Sequence, residues 1–283
     1  MKVFTTRESL KKFIQPYREK NLSLGFVPTM GALHEGHLSL IAASLKENAY
    51  TIVSIFVNPT QFDNPADLEK YPRTLEKDVQ LLQKLSSDIV IFAPAASDFY
   101  QGKIVAKTFD FGTIANQMEG RFRKGHFDGV GTVVSLLFET VQPTTAYFGE
   151  KDFQQLQIIR KLVKILKLPV KIIGCPIARE PHGLARSSRN ELLSYSDRKE
   201  AAFIYKTLQK AKKLFGIKSA NEVRDWVKDE FKKNVKLSLE YFEIAQEDSL
   251  LPVIRKNKNK SYRAFIAVQC GAVRLIDNIA LKH

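Results

Sequence analysis

Residues 28–37 read Pro-Thr-Met-Gly-Ala-Leu-His-Glu-Gly-His, and the reading of this stretch decides the fold. It follows the apolar run Leu24-Gly25-Phe26-Val27 and precedes Leu38, Leu40, Ile41 and Leu45, which recur at helical spacing. Two histidines and two glycines therefore stand at the joint between a strand and a helix start, where ligands bind in an open α/β sheet. A helix start offers unpaired N–H groups and the positive end of a dipole, and both favour a phosphate. Gly31 and Gly36 allow close backbone approach, and His34 and His37 can each donate to a phosphate oxygen. A histidine here can also cap the helix, which for one histidine alone is the commoner role. The whole pattern is scarcer: with 5 His in 283 residues and Gly at about 7%, His-x-Gly-His arises by chance in roughly one such chain in two hundred. The stretch predicts a nucleotide held by its phosphates.

Outward from that joint, strand and helix patterns alternate. Strands are expected at 23–27, 50–57, 88–92, 146–148 and 170–174, with helices at 36–48, 74–85, 130–140 and 153–166. Such alternation predicts a mostly parallel, doubly wound α/β sheet. From about residue 178 the texture changes. Helices near 197–214 and 221–233 precede strands at 237–244, 263–270 and 273–277, the pattern of a smaller α+β domain. The expected division is 1–177 and 178–283, with no internal repeat or low-complexity tract.

Hydrophobic residues at 44% and charged residues at 26% are ordinary globular values. No apolar run is long enough to span a bilayer, and 51–57 and 88–96 read as buried strands. Residues 1–12 lack the apolar core and small-residue cleavage site of a signal peptide. Cys175 and Cys270 have no metal-ligand spacing and lie in apolar runs, as reduced core residues of a cytoplasmic protein would. The net charge of +14 raises nucleic-acid binding. The lysines Lys206, Lys210, Lys213, Lys228, Lys232 and Lys236 are spaced by three or four within each helix, as on a solvated face. Arg255-Lys256-Asn257-Lys258-Asn259-Lys260 reads as a hairpin loop. The expected partner is a small anionic ligand such as ATP, not nucleic acid or a membrane.

Three further polar clusters stand at strand ends. Asn58 and Gln61, after the second strand, suit recognition of a hydroxyl or carboxylate without neutralising it, although Asn58 before Pro59 serves equally as a turn residue. Gly149-Glu150-Lys151-Asp152 follows the strand ending at Phe148. There Gly149 clears space, Lys151 supplies a cation for phosphate, and Asp152 can cap the helix or bind ribose hydroxyls. Arg186-Ser187-Ser188-Arg189-Asn190, at the junction of the two halves, can wrap a triphosphate, or its serines can cap the next helix.

Together these residues resemble the pantothenate synthetase (pantoate–β-alanine ligase) family, of the nucleotidylyltransferase group related to class I aminoacyl-tRNA synthetases. The resemblance covers nearly the whole chain and includes Gly125-His126-Phe127-Asp128-Gly129-Val130 and Tyr71-Pro72-Arg73-Thr74. It implies a Rossmann-like sheet of the nucleotidylyltransferase type with a C-terminal α+β lid domain, a homodimer, and ATP and Mg2+ as requirements. It further implies adenylation of pantoate, then attack by β-alanine to give pantothenate, AMP and pyrophosphate. By the same resemblance Met30, Gly31, Ala32, Leu33, His34, Glu35, Gly36 and His37 contact ATP, with His37 as proton donor and His34 and Lys151 beside it in catalysis. Gly149, Glu150, Lys151, Asp152, the main chain of Ala178, and Arg186, Ser187, Ser188 and Arg189 complete the ATP set, while Gln61 and Gln155 hold pantoate and Gln61 also borders β-alanine. No protein side chain is assigned to the metal.

Two positions depart from the family pattern: Arg186 stands where Met or Leu is usual, and His182 where Asp is usual. Arg186 is expected to point its charge to solvent and pack with its aliphatic stem. The chemistry fits the residue types. A carboxylate attacks an anionic α-phosphate poorly, so charge must be neutralised and the groups aligned. Neutral Gln61 and Gln155 leave the pantoate carboxylate reactive. The rival readings are a nucleotidyl transferase acting on a phosphorylated acceptor, which calls for more cations at the acceptor, and an RNA-binding module that has lost its phosphate ligands.

Overall fold

Runs such as Thr51-Ile52-Val53 are buried at every residue, as a parallel strand covered by helices on both faces requires. The computed structural model describes residues 1–62, 65–100 and 102–281. In chain order the first part contains β1 (Lys2–Phe4), α1 (Arg7–Glu19), β2 (Leu24–Thr29), α2 (Glu35–Glu47), β3 (Tyr50–Ile55), α3 (Pro65–Lys70), α4 (Leu75–Leu85), β4 (Val90–Phe92) and α5 (Ala96–Tyr100). There follow α6 (Met118–Phe122), α7 (His126–Val141), β5 (Thr145–Gly149), α8 (Phe153–Ile165) and β6 (Lys171–Cys175). The remainder contains α9 (Tyr195–Glu200), α10 (Ala202–Phe215), α11 (Ala220–Lys232), β7 (Leu237–Gln246), β8 (Tyr262–Cys270) and β9 (Val273–Leu281). The chain divides into two compact units. The first is Met1–Phe111, Phe122–Glu150 and Gln155–Pro176; the second is Gly112–Arg121, Lys151–Gln154 and Ile177–His283.

In the first unit six strands form an all-parallel sheet in the order β1-β4-β3-β2-β5-β6. Side chains alternate between its faces. Val27 and Tyr147 belong to a core with Leu40 and Ile41 of α2 and Leu82 of α4. Phe26 and Phe148 instead meet the Phe138 ring of α7 at 6.3 and 6.4 Å. From β2 the chain steps outward through β3 and β4, then returns to the other side of β2 with β5 and β6. The reversal between β2 and β5 is the switch point at which such sheets open a crevice. Pairing between these two strands covers only Gly25↔Thr145 and Phe26↔Ala146, so their carboxyl halves diverge. The doubly wound sheet read from the alternation is present. The reading missed β1 and α1, in which an internal Pro16 interrupts the usual helix pattern.

In the second unit β7, β8 and β9 form an antiparallel sheet, one face of which carries α10 and α11 around Ile204, Leu208, Val227 and Ile266. The expected helix 197–214 is two helices, α9 and α10. The third strand was expected to end at 277 and runs to Leu281. Asp277, at the expected end, and Asn278 beyond it are both buried. Arg179 grips Asp277 with two bonds of 2.6 and 2.9 Å, and Arg263 donates to Asn278 at 2.6 Å. On α11 Lys228 and Lys232 pair with Asp225 and Asp229 three residues earlier, which is the solvated face expected of them.

Ahead of α9, residues 178–186 fold back on themselves: Arg186 N–H donates to Ala178 O and Glu180 N–H to Leu184 O. The Glu180 carboxylate then collects Arg186, Asn190 and Arg198 at 2.7–3.0 Å. Burial pushes this carboxyl up, but the bonds from Arg198, Asn190 and Arg186 outweigh it and bring it down to about 2.

Two outcomes follow from this packing. A Cβ on Gly129 of α7 would lie 2.1 Å from the Thr60 carbonyl oxygen, and backbone cannot yield as a side chain does. Gly129→Ala is expected to destabilise the fold by about 1–3 kcal/mol, read as a lower thermal midpoint. Glu180 titrates from a depressed value, so its stabilisation is present above 4.5 and is lost as pH falls toward about 2. Across that window the protein is expected to lose on the order of 3 kcal/mol that Glu180→Gln never had, measured by urea unfolding at stepped pH.

Candidate active site

The turn leaving β2 is built against the backbone's own preferences. Gly31 and Ala32 both take left-handed conformations, φ +82 and +49, which alanine adopts at a cost of roughly 1–2 kcal/mol. Asp78 of α4, 2% exposed, makes the turn possible. Its two oxygens accept Ala32 N–H at 3.0 Å and Leu33 N–H at 2.8 Å. Burial pushes the Asp78 carboxyl above its ordinary value, and these amides pull the other way. Thr29, at the end of β2, donates to Ser54 O of β3 and accepts Gly31 N–H, tying the turn to the sheet.

Helix α2 then opens on its two histidines. His34 is the N-cap and its Nδ1 accepts Gly36 N–H at 3.1 Å; His37 Nδ1 accepts His34 N–H at 3.3 Å. The rings stack 4.1 Å apart. A ring nitrogen that accepts a backbone N–H carries no proton, so each neutral imidazole holds its proton on Nε2 and presents that atom as its donor. Glu35 stands in the first turn of α2, where a carboxylate complements the helix dipole. Capping and donor roles, alternatives in the sequence, are here compatible in the same rings.

Beyond β3, residues 59–61 make a tight turn that places Gln61 beside the same loop. Gln61 Nε2 lies 2.9 Å from Met30 Sδ, and its Oε1 accepts Asn58 Nδ2 at 3.1 Å. The Gln61 carbonyl meets His126 Nδ1 at 2.9 Å and accepts Arg123 Nη2 at 3.3 Å. Asn58 is 1% exposed. Its amide donates to Gly129 O and its oxygen accepts Thr60 N–H and the Tyr100 hydroxyl, so it is a structural turn residue. Met30 and Gln61 thus meet directly, while Gln155 is half-buried on α8. Gly149 ends β5 opposite Cys175, and Glu150 opens the 150–152 turn. Burial, with Glu47 and Glu150 nearby, pushes the Cys175 thiol up to about 11, and burial also raises Cys270. Neither is a thiolate at neutral pH.

In the second unit Lys151 Nζ donates to Asp152 Oδ1 at 3.2 Å. The Lys151 carbonyl is held by Asn278 Nδ2 at 2.8 Å, and Asn278 is in turn held by Arg263. Ala178 offers its carbonyl to Arg186 N–H. Ser187 Oγ accepts Arg189 N–H at 3.2 Å and caps the short turn Ser188–Leu192, which leaves its own hydroxyl proton to donate. Arg186 does not turn its charge to solvent as expected. Its guanidinium reaches Glu180 at 3.0 Å and Glu191 at 3.5 Å, because the buried Glu180 carboxylate lies within its reach. Sequence reasoning missed Asp78, Arg123 and Glu180; the spacing Thr74-x-x-x-Asp78, which returns a carboxylate to the start of α4, was the available signal for the first.

Among the described residues no group of three or more His, Cys, Asp or Glu could hold a metal ion, and no helix is long and apolar enough to cross a membrane.

Comparison with known proteins bears on this geometry. The family model described as pantoate-beta-alanine ligase matches residues 2–280. The pantothenate synthetase of Christiangramia forsetii is 59% identical over 283 residues, and that of Flavobacterium psychrophilum 57% over 282, each match covering 100% of both chains. The crystal structure of pantothenate synthetase from Thermus thermophilus superposes with a TM-score of 0.91 at 38% identity, covering 99% of both chains. That of pantoate-beta-alanine ligase from Francisella tularensis, complexed with beta-gamma ATP and beta-alanine, gives 0.82 at 38% identity over 99% of this chain and 97% of that one. With the family model spanning nearly every residue and relatives above half identity end to end, the chain belongs to the pantoate–β-alanine ligase family.

Proposed function

We propose that the ATP-driven condensation of pantoate with β-alanine, the activity of this family, runs here through a pantoyl-adenylate. The pantoate carboxylate attacks the α-phosphorus of ATP in line and expels pyrophosphate. The unprotonated amine of β-alanine then attacks the acyl carbon, the bond from that carbon to the bridging phosphate oxygen breaks, the nitrogen gives up one proton to solvent, and pantothenate and AMP leave.

The observation that carries the assignment of residues is the turn 30–37 at the carboxyl end of β2, beside the switch point. Both histidine rings there use Nδ1 on the helix cap, which makes Nε2 of His34 and His37 the donor toward phosphate oxygens. His37 is proposed to stabilise charge developing on the phosphates, and His34 to share it. The backbone of Met30 to Gly36 is proposed to lie along ATP. Lys151 and the Ser187-Ser188-Arg189 segment are assigned to phosphate, Asp152 to ribose and the main chain of Ala178 to adenine. Gln61 and Gln155 are assigned to pantoate, whose carboxylate must stay free of an ion pair. ATP enters as its magnesium complex. The donors of this site suit phosphate oxygens, not a cation, so the ion is placed on the triphosphate. A homodimer and a cytoplasmic setting belong to the same proposal, and nucleic acid has no part in it.

Pantoate alone, without β-alanine, is expected to support magnesium-dependent exchange of labelled pyrophosphate into ATP. Exchange seen only with a phosphorylated acceptor would favour a nucleotidyl transferase instead. His37→Ala is expected to slow that exchange by roughly 10²–10³ while losing only about 1 kcal/mol of helix capping. A variant unfolded by circular dichroism would show that the ring's capping role is the dominant one.

A further inference from the structure

The segment Ser187-Ser188-Arg189 is flanked by two residues that donate to one atom. Arg186 Nη1 on one side and Asn190 Nδ2 on the other each lie 3.0 Å from Glu180 Oε1. Arg198 Nη2 of α9 reaches the same oxygen at 2.7 Å. Glu180 has a side chain only 8% exposed, and Asn190 is fully buried. The second proton of the Asn190 amide goes to Ala185 O at 3.0 Å, while its Oδ1 has no partner. The amide is therefore spent on drawing the end of the segment back toward its start. Main-chain bonds run the same way, from Asn190 N–H to Ser187 O and from Arg186 N–H to Ala178 O.

We infer that Glu180 is the positioning residue of the phosphate-binding segment: it staples the two ends of Ser187-Ser188-Arg189 together and holds the Arg186 guanidinium away from the triphosphate. This rests on the proposed assignment of 187–189 to phosphate. A segment already closed at its neck binds without a further ordering cost. An open one must be ordered by the nucleotide, and ATP affinity falls. The departure at position 186 has its place in the same device, since the guanidinium serves the staple and not the ligand.

The experiment combines calorimetric titration of ATP with steady-state exchange kinetics on the full chain. Glu180→Gln keeps the shape but replaces a carboxylate by a neutral amide whose NH2 faces other donors. It is expected to raise the ATP Kd and KM by about tenfold and to leave the pantoate KM within about twofold. In that variant Arg186 is left without its buried partner. Adding Arg186→Met removes the stranded charge, so the double variant is expected to recover part of the loss. Arg186→Met alone is expected to weaken ATP binding less than Glu180→Gln does, by an amount that does not change between low and moderate salt. Glu180→Gln with a lower melting temperature but unchanged ATP Kd would reduce Glu180 to a structural role and overturn the inference. So would Arg186→Met alone weakening ATP several-fold at low salt with the effect gone at higher salt, the signature of a direct phosphate contact. The ATP titration needs no turnover. Absence of pantoate-dependent exchange by the unaltered protein would therefore sink the functional assignment separately, with the staple still judged by affinity.

Discussion

Two consecutive amides, Ala32 N–H and Leu33 N–H, find their acceptors in the single carboxylate of Asp78, and the geometry of the β2–α2 joint depends on that bond pair. Buried N–H groups without acceptors cost on the order of 1–3 kcal/mol each, and Ala32 adds the strain of its left-handed backbone. A side chain from α4 supplies these two acceptors, while Thr29 of β2 takes Gly31 N–H. With the turn held, His34 falls at the N-cap of α2 and His37 one turn into it. The crevice at the switch point is therefore lined by a loop whose shape is fixed from a separate helix.

The histidines illustrate how one residue can satisfy two physical demands. Their Nδ1 atoms are used on backbone N–H groups, a local and purely structural duty. That duty settles the tautomer, which is the property a phosphate donor needs settled. Structural and chemical readings of His-x-Gly-His compete only while the two ring nitrogens are treated as one group.

How much of this was legible beforehand depends on range. Strand–helix alternation, the second-unit strands and the polar clusters at strand ends are written in contiguous residues, and periodicity exposes them. The family membership was legible in the same way, because its motifs are local. What stayed hidden lies in pairs distant in sequence. Asp78 meets Ala32 across 46 residues, Arg263 meets Asn278 on a neighbouring strand, and Arg123 reaches the carbonyl of Gln61 across 62. A carboxylate in a helix reads as a solvated residue until the fold buries it. The same blindness ended the last expected strand at residue 277, although Asp277 and Asn278 lie buried where Arg179 and Arg263 make burial tolerable. At Asn58 the sequence left ligand recognition and a turn role equally open, and the fold takes the turn: the side chain faces inward to Gly129 O and Thr60 N–H.

The crowding at Glu180 has a consequence for how this chain can drift. A carboxylate oxygen has about two lone pairs to offer, yet Oε1 is approached by Arg186, Asn190 and two nitrogens of Arg198. The donors outnumber the acceptor sites, so they compete, and withdrawal of one lets the others shorten into the space. Such a surplus makes the neighbouring positions substitutable one at a time. Residue 186 can then exchange its guanidinium for an apolar side chain with Glu180 still held by Asn190 and Arg198, whereas residue 180 has no such latitude.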